Sequence, residues 1–226
     1  MTRRIWLAGF VAIAALFVAL DWFTYPPPLP AYAVVRSAWQ PSEAWLYDRH
    51  GTLIDSARVD FAKRRLAWVP LASIAPAVPA TVIAAEDARF RSHGGIDWLA
   101  ILGSIRSRIG GERGRGASTL SMQVAAFLSS DLAAPGARAW RDKLRQMRAA
   151  RTLESAWSKD RILEAYLNLA PFRGEAQGIG AAALSLFGKT PAAMTPDDAV
   201  LLAALLPDPQ ATAAWIAARA CRLNGG

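Results

Sequence analysis

The pattern of apolar and polar positions changes character twice along the chain. Ile5–Leu20 (IWLAGFVAIAALFVAL) runs without a charge, opened by Arg3-Arg4 and closed by Asp21-Trp22-Phe23. Around Ala44–Asp55 (AWLYDRHGTLID) apolar and polar residues alternate on either side of Arg49-His50-Gly51, the pattern of a small β-hairpin. From Pro79 onward the period is helical, and alanine, leucine and arginine dominate. The spacing predicts helices over 79–90, 97–106, 118–129, 138–157, 159–168, 177–187, 196–206 and 211–222. Pro171, Pro191, Pro196, Pro207 and Pro209 mark breaks between the later ones. No internal repeat is present. The expected fold is mainly α, with one short hairpin near its start.

The first run adds a membrane question. Sixteen uncharged residues are short for a spanning helix, but Asp21 can snorkel and Trp6, Trp22 and Phe23 suit the interfaces. A cleaved signal peptide is the competing reading. No small-x-small cleavage pair precedes Asp21, which favours an uncleaved anchor. Arg3 and Arg4 would then keep the N-terminus cytoplasmic and place the rest of the chain outside. The organisation expected is an anchor over 1–23, a proline-rich, extended spacer over 24–43 that lifts the domain off the membrane, and one domain over 44–226.

Charge and composition narrow the partners. The net charge is +8, and arginine supplies nearly all of the basic residues. Nucleic acid is the usual expectation for such a balance, but an exported, anchored domain faces anionic headgroups or a phosphorylated lipid instead. Cys221 is the only cysteine, so no internal disulfide forms. His50 and His93 are far apart in sequence and have no cysteine partners, which argues against a zinc site.

Candidate chemistry begins at Thr81–Phe90 (TVIAAEDARF). At 100° per residue Val82, Ile83 and Phe90 share an inward arc, with Glu86 in its middle and Asp87 at its edge. A carboxylate among apolar side chains loses hydration, its pKa rises, and it becomes a better proton acceptor near neutral pH. A partner for a nearby arginine would explain Glu86 equally. Downstream, Arg106–Gly116 (RSRIGGERGRG) is rich in glycine and arginine, reads as a non-helical cationic flap, and makes Arg113 and Arg115 candidate contacts to an anionic ligand. Ser118 follows as a candidate N-cap, at a helix end that attracts phosphate. Thr119 and Gln123, four apart, share one face of that helix. On the helix 138–157, Arg138, Arg141, Arg145 and Arg148 form an exposed basic stripe, expected to be solvated or to rest against headgroups. Lys143 and Gln146 point the other way, where each needs a polar partner or a ligand.

Three ordered motifs carry a resemblance. Glu86-Asp87-x-x-Phe90-x-x-His93-x-Gly95, Gly116-Ala-Ser-Thr-Leu-Ser-Met-Gln123 and Ser158-Lys-Asp-Arg-Ile-Leu-Glu-Ala-Tyr-Leu-Asn168 resemble signatures of the family 51 peptidoglycan glycosyltransferases. The match runs from about Ala44 to Pro209, and the second motif with Lys143-Leu144-Arg145-Gln146 looks most like the 1C branch of the bifunctional penicillin-binding proteins. No transpeptidase domain follows in this sequence.

The resemblance implies a lysozyme-like α-helical lobe with a small membrane-facing jaw. It also implies an activity, polymerisation of lipid II into β-1,4-linked glycan with release of undecaprenyl pyrophosphate, on the periplasmic side of the bacterial inner membrane. By the same resemblance Glu86 is the general base, while Ser118, Thr119, Gln123 and Lys143 serve the donor site, and Asp87, Phe90 and His93 shape it. Mg2+ or Mn2+ at the pyrophosphate is implied, with no organic cofactor; the implied partners are lipid II, the growing glycan, membrane lipids and a separately encoded penicillin-binding transpeptidase. Two positions depart from the family. Gln146 stands where a second glutamate is usual, as in the 1C branch, and Ala126 where Lys or Arg is common; Arg113 or Arg115 would have to supply that charge. Two other functions fit the same residues, a non-catalytic lipid II-binding scaffold and a lysozyme-like murein hydrolase.

Overall fold

The computed structural model describes residues 2–110, 116–133 and 139–225. The chain opens with α1 (Thr2–Phe23) and α2 (Tyr32–Ala38), then forms an antiparallel hairpin of β1 (Glu43–Tyr47) and β2 (Leu53–Arg58). The helices that follow are α3 (Ala77–Glu86), α4 (Trp98–Ile109), α5 (Leu120–Leu128), α6 (Ser130–Ala133), α7 (Ala139–Ala156), α8 (Lys159–Leu169), α9 (Ile179–Phe187), α10 (Pro196–Leu205) and α11 (Ala213–Asn224). The hairpin turn lies where the alternation breaks: Asp48 Oδ1 accepts from the backbone N–H groups of His50 and Thr52, each at 2.8 Å, and Gly51 takes φ 81°.

Most helices match the periodic segments to within three residues, and two differ in a way that matters. The helix expected over 79–90 stops at Glu86, because Asp87 leaves helical geometry (φ −156°, ψ 69°) to reach tertiary partners. The helix expected to end at 106 continues to Ile109, into the start of the glycine-rich segment. Arg106–Ile109 is therefore helical, contrary to the flap reading, while Arg113 and Arg115 lie outside the described residues.

The core gathers around α8. Ile162, Leu163, Ala165, Tyr166, Leu167 and Leu169 are buried there, and α5 is packed between α7 and α8, with α3 against α10. Two polar residues interrupt the buried face of α8, and both are satisfied. Asn168 Oδ1 accepts from Val69 N–H at 2.8 Å while its amide donates to Val69 O at 2.9 Å. Glu164 accepts from Trp68 Nε1 (2.7 Å), from Leu71 N–H (2.8 Å) and from the Tyr32 hydroxyl. Burial and the Glu164 carboxylate push the Tyr32 phenol up to about 12.

That last contact belongs to the segment expected as an extended spacer, and part of this segment packs on the lobe. Leu29, Tyr32, Val35 and Trp39 pack against the core, and Trp39 Nε1 donates to Leu66 O at 2.8 Å. Residues 24–43 therefore include a short helix applied to the lobe. The arginine stripe of α7 is also partnered. Arg141 Nε donates to Phe23 O (3.1 Å) and Arg145 Nε to Tyr25 O (3.3 Å); Arg148 reaches Asp21 O, the Thr24 hydroxyl and the Asp21 carboxylate (2.5 Å). Arg141 and Arg148 thus cap carbonyls at the end of α1, which carries no basic residue in its own last turn, and Arg145 holds the Tyr25 carbonyl just beyond it. Arg138, the fourth of the stripe, lies outside the described residues. No helix among the described residues is long and apolar enough to cross a membrane; the uncharged run Ile5–Leu20 stops about one turn inside each end of α1.

Candidate active site

Glu86 is the last residue of α3, and the chain beyond it is folded back against α5 and α7. Asp87 begins that turn. Its carboxylate accepts from the backbone N–H of Leu120 at 2.9 Å, at the start of α5, and pairs with His93 Nε2 at 2.9 Å. A helix N-terminus favours negative charge, and here a carboxylate of the chain supplies it. Phe90 is fully buried and anchors the turn to the core. At Gly95 φ is 92°, and a Cβ would lie 2.7 Å from Ala150 O, so only glycine lets the turn lie this close to α7. Thr119 Oγ1 donates to Gly95 O at 2.7 Å and accepts from Met122 N–H at 3.2 Å. Thr119, then, caps α5, and the expected capping role of Ser118 is corrected. Ser118 is taken up by Lys143, whose Nζ donates to its hydroxyl at 2.6 Å.

These elements enclose a cavity of about 860 Å³, with Glu86, Asp87, Arg89, Ser118, Thr119, Gln123 and Arg219 among its lining residues. The wall from α4 is made of Leu99, Ala100, Gly103, Ser104 and Ser107, and beyond Leu99 these are small residues that leave the space open. Glu86 Oε1 accepts from Arg219 at 2.9 Å and Oε2 from Gln123 Nε2 at 3.4 Å; Gln123 Oε1 accepts from the Tyr166 hydroxyl at 3.2 Å. The Glu86 side chain is only 12% exposed. Burial raises its pKa above the ordinary carboxylate range, and Arg219 and Gln123 offset only part of that rise. Burial also lowers the pKa of Lys143. The site holds a carboxylate of raised pKa facing an open space lined by both polar and apolar groups.

Of the residues singled out in the sequence, Glu86, Asp87, Ser118, Thr119 and Gln123 line one cavity, with Lys143 attached through Ser118. His93 stands behind Asp87, and Phe90 lies in the core. Gln146 does not line the cavity. Its amide donates to Leu132 O, so of the two expected alternatives, a polar partner or a ligand, it has a polar partner. Ala126 packs beside Leu29 in a small apolar cluster with Ala125, Leu132 and Ala149, away from the cavity wall. A cation there would not face the donor side by helical register alone.

Several participants went unread in the sequence. Arg89 pairs with Asp97 through both guanidinium nitrogens that reach it, and Asp97 caps the first turn of α4 through Ala100 N–H at 2.7 Å. Arg89 holds the Asp97 carboxyl below its usual range. Lys159 Nζ donates to His93 O and to Glu154, both at 2.6 Å, and sits 4.4 Å from the Phe90 ring centre. Arg219 had no local signal at all. It comes from α11, 133 residues after Glu86.

Among the described residues, a divalent cation is a poor fit to the donors at the site. Asp87, His93 and Asp97 offer atoms within 4.8 Å of one another. Yet Asp87 already serves His93 and Leu120 N–H, Asp97 serves Arg89 and Ala100 N–H, and Glu86 serves Arg219 and Gln123. A hard cation would have to displace those cations and donors from the carboxylates.

This geometry coincides with a clear family match, for a family model described as Transglycosylase matches residues 50–223. The chain belongs to the transglycosylase family. Over 145 residues it is 45% identical to a protein of Rhodospirillum centenum, covering 63% of this chain and 60% of that one. Over 181 residues it is 40% identical to one of Aeromonas hydrophila, covering 78% and 72%. A relative in Pasteurella multocida is 41% identical over 142 residues, covering 63% and 56%. Each of the three bears the name biosynthetic peptidoglycan transglycosylase. In the Rhodospirillum and Pasteurella alignments the chain spans about three fifths of the relative's length.

Proposed function

We propose that the chain is a peptidoglycan glycosyltransferase that polymerises lipid II, with Glu86 as its general base. The observation that carries this reading is the buried Glu86 carboxylate at the wall of the cavity, in a chain of the transglycosylase family. The carboxylate has about four acceptor positions, two of them used by Arg219 and Gln123. A free one takes the proton from the acceptor 4-hydroxyl as that oxygen bonds to C1 of the donor sugar. The bond from C1 to the pyrophosphate breaks on the opposite side, so the reaction inverts C1 and undecaprenyl pyrophosphate leaves. Neutralising the departing charge falls to chain cations, with Lys143 placed at Ser118 on the cavity wall.

A lipid-linked substrate suits the surroundings. Trp98, Leu102 and Ile105 of α4 are exposed apolar side chains, three to four residues apart on one helix face, a surface that favours acyl chains over water. We read α4 as the membrane-facing jaw of a lysozyme-like lobe, and α1 as an inner-membrane anchor with the lobe on the periplasmic side. The sixteen uncharged residues of α1 reach about 24 Å at 1.5 Å per residue, a shortfall that bilayer thinning and snorkelling accommodate. Asp21, at its end, is already matched by Arg148. The test is incubation of the full-length protein in detergent with labelled lipid II. Polymer that is absent in Glu86→Gln is expected, and no polymer from the wild-type chain in any metal or detergent condition would overturn the proposal.

A further inference from the structure

The ion pair between Glu86 and Arg219 joins two helices whose paired residues are 133 apart in the chain. Glu86 closes α3, while Arg219 sits in the middle of α11, which packs on α10 and forms its own apolar cluster through Ile216 and Ala220. The guanidinium lies 6.0 Å from the centre of the Trp215 ring, one turn earlier on the same helix. Among the described residues its Nε is buried without a hydrogen-bond partner. Buried N–H groups are almost always paired, so this arginine is held where its contact to Glu86 demands rather than where its own bonding would be complete.

We infer that Arg219 is a positioning residue for Glu86, fixing the direction of the carboxylate and keeping it ionised in a buried site when the acceptor hydroxyl arrives. The inference rests on the reading of Glu86 as the base. The charged and titratable groups facing Glu86 are few. Asp87 follows it in the chain and opposes ionisation, the Tyr166 hydroxyl approaches from α8 through Gln123, and Arg219 is the cation in contact. The cavity wall near α10, Leu206 and Pro207, brings no charge. Arg89 and Asp97 line the same cavity but pair with each other, so among the described residues Arg219 is the cation in contact with Glu86, set against burial and a neighbouring carboxylate.

The sign follows directly. Removing the positive charge favours the neutral acid, so Glu86 must lose its proton at a higher pH before it can act as a base. An opposite charge at contact distance shifts a carboxylate by about 1–3 pH units, so the acidic limb of kcat/KM against pH should move up by roughly that amount in Arg219→Met. The deficit should shrink as pH rises, and Arg219→Lys should return most of the wild-type profile. The second readout needs no turnover. The side-chain carboxyl carbon of Glu86, identified as the resonance lost in Glu86→Gln, is titrated by NMR in the wild-type and Arg219→Met proteins. A titration midpoint moved upward supports the inference even if the wild-type chain fails to polymerise lipid II, which would overturn only the functional reading. An unmoved midpoint, or a loss of kcat/KM that is equal at every pH, overturns the inference and assigns Arg219 to the substrate instead.

Discussion

At the scale of the residue, Glu86 is asked to satisfy two opposed demands, burial and charge, and both have measurable signs. Glu86→Gln keeps the shape and the contact to Gln123 but cannot accept a proton, so turnover should fall by about 10²–10⁴-fold. Stability should move the other way. A carboxyl whose folded pKa is raised is favoured in its neutral form on folding. Its contribution is fully present below the unfolded pKa and is lost as pH rises through the folded value. At pH 7 the wild-type protein bears that loss, while the glutamine variant does not. Glu86→Gln should therefore melt at a higher temperature than wild type at pH 7, and the gap should close on acidification towards pH 4. A wild type at least as stable as the variant at pH 7 would contradict the raised pKa.

The burial of Glu86 was legible in the sequence because Val82 and Glu86 lie within one regular helix. The role of its neighbour was not. Asp87 falls at the edge of the helical wheel, yet it is the more deeply buried of the two, because the wheel ends where its carboxylate finds Leu120 N–H and His93. Ser118 and Thr119 pose the same difficulty. Either can cap a helix, and the outcome turns on Lys143, which lies 25 residues away from Ser118 and claims its hydroxyl.

At the scale of the element, the turn after α3 acts as a unit held between the start of α5 and the side of α7. Gly95 is the point where it touches α7. Gly95→Ala puts a side chain at a positive φ and within 2.7 Å of Ala150 O, whereas Gly94 next to it has open space. Unfavourable backbone geometry of this kind costs about 1–3 kcal/mol, and the backbone clash adds to it. We expect Gly95→Ala to lower the denaturation midpoint clearly while Gly94→Ala leaves it nearly unchanged. Activity should fall further than stability in Gly95→Ala at temperatures where it stays folded, because the displaced turn carries Asp87. Equal midpoints for the two variants would mean the turn does not rest on α7 as described. The glycine itself was visible in the sequence as part of a motif. Its reason was not, since a close approach of two backbones 55 residues apart leaves no periodic trace.

At the scale of the whole molecule, the least legible feature is how the N-terminal forty residues are attached. Proline-rich sequence reads as a spacer on composition alone, but composition does not report that Glu164, a charged residue on the buried side of α8, takes one of its donors from Tyr32, beside Trp68 and the Leu71 N–H. Trp39 stacks edge-on to Trp68, and Tyr32 edge-on to Trp157, so α2 closes an aromatic cluster over α8. The arginines of α7 likewise looked solvated only because their partners, carbonyls at the end of α1 and just beyond it, lie more than 110 residues earlier.

Two truncations separate these attachments. Removing residues 1–23 takes away α1 and the Asp21 end of the arginine clamp, but retains Thr24, which keeps its bond to Arg148 at 2.8 Å. The clamp pairs are largely exposed, and exposed ion pairs contribute about 0–1 kcal/mol each. This variant should melt close to the full-length protein while losing its association with membranes. Removing residues 1–43 also takes Leu29, Tyr32, Val35 and Trp39 off the core and leaves Glu164 without the Tyr32 hydroxyl. Large apolar side chains contribute about 1.5–3 kcal/mol each when fully buried. Four partly buried ones therefore amount to several kcal/mol, a large part of the roughly 5–15 kcal/mol that holds a domain together. The longer truncation should melt far lower, or fail to fold, and expose Trp68 and Trp157 to fluorescence quenchers. Equal melting temperatures for the two variants would return residues 24–43 to the status of a spacer.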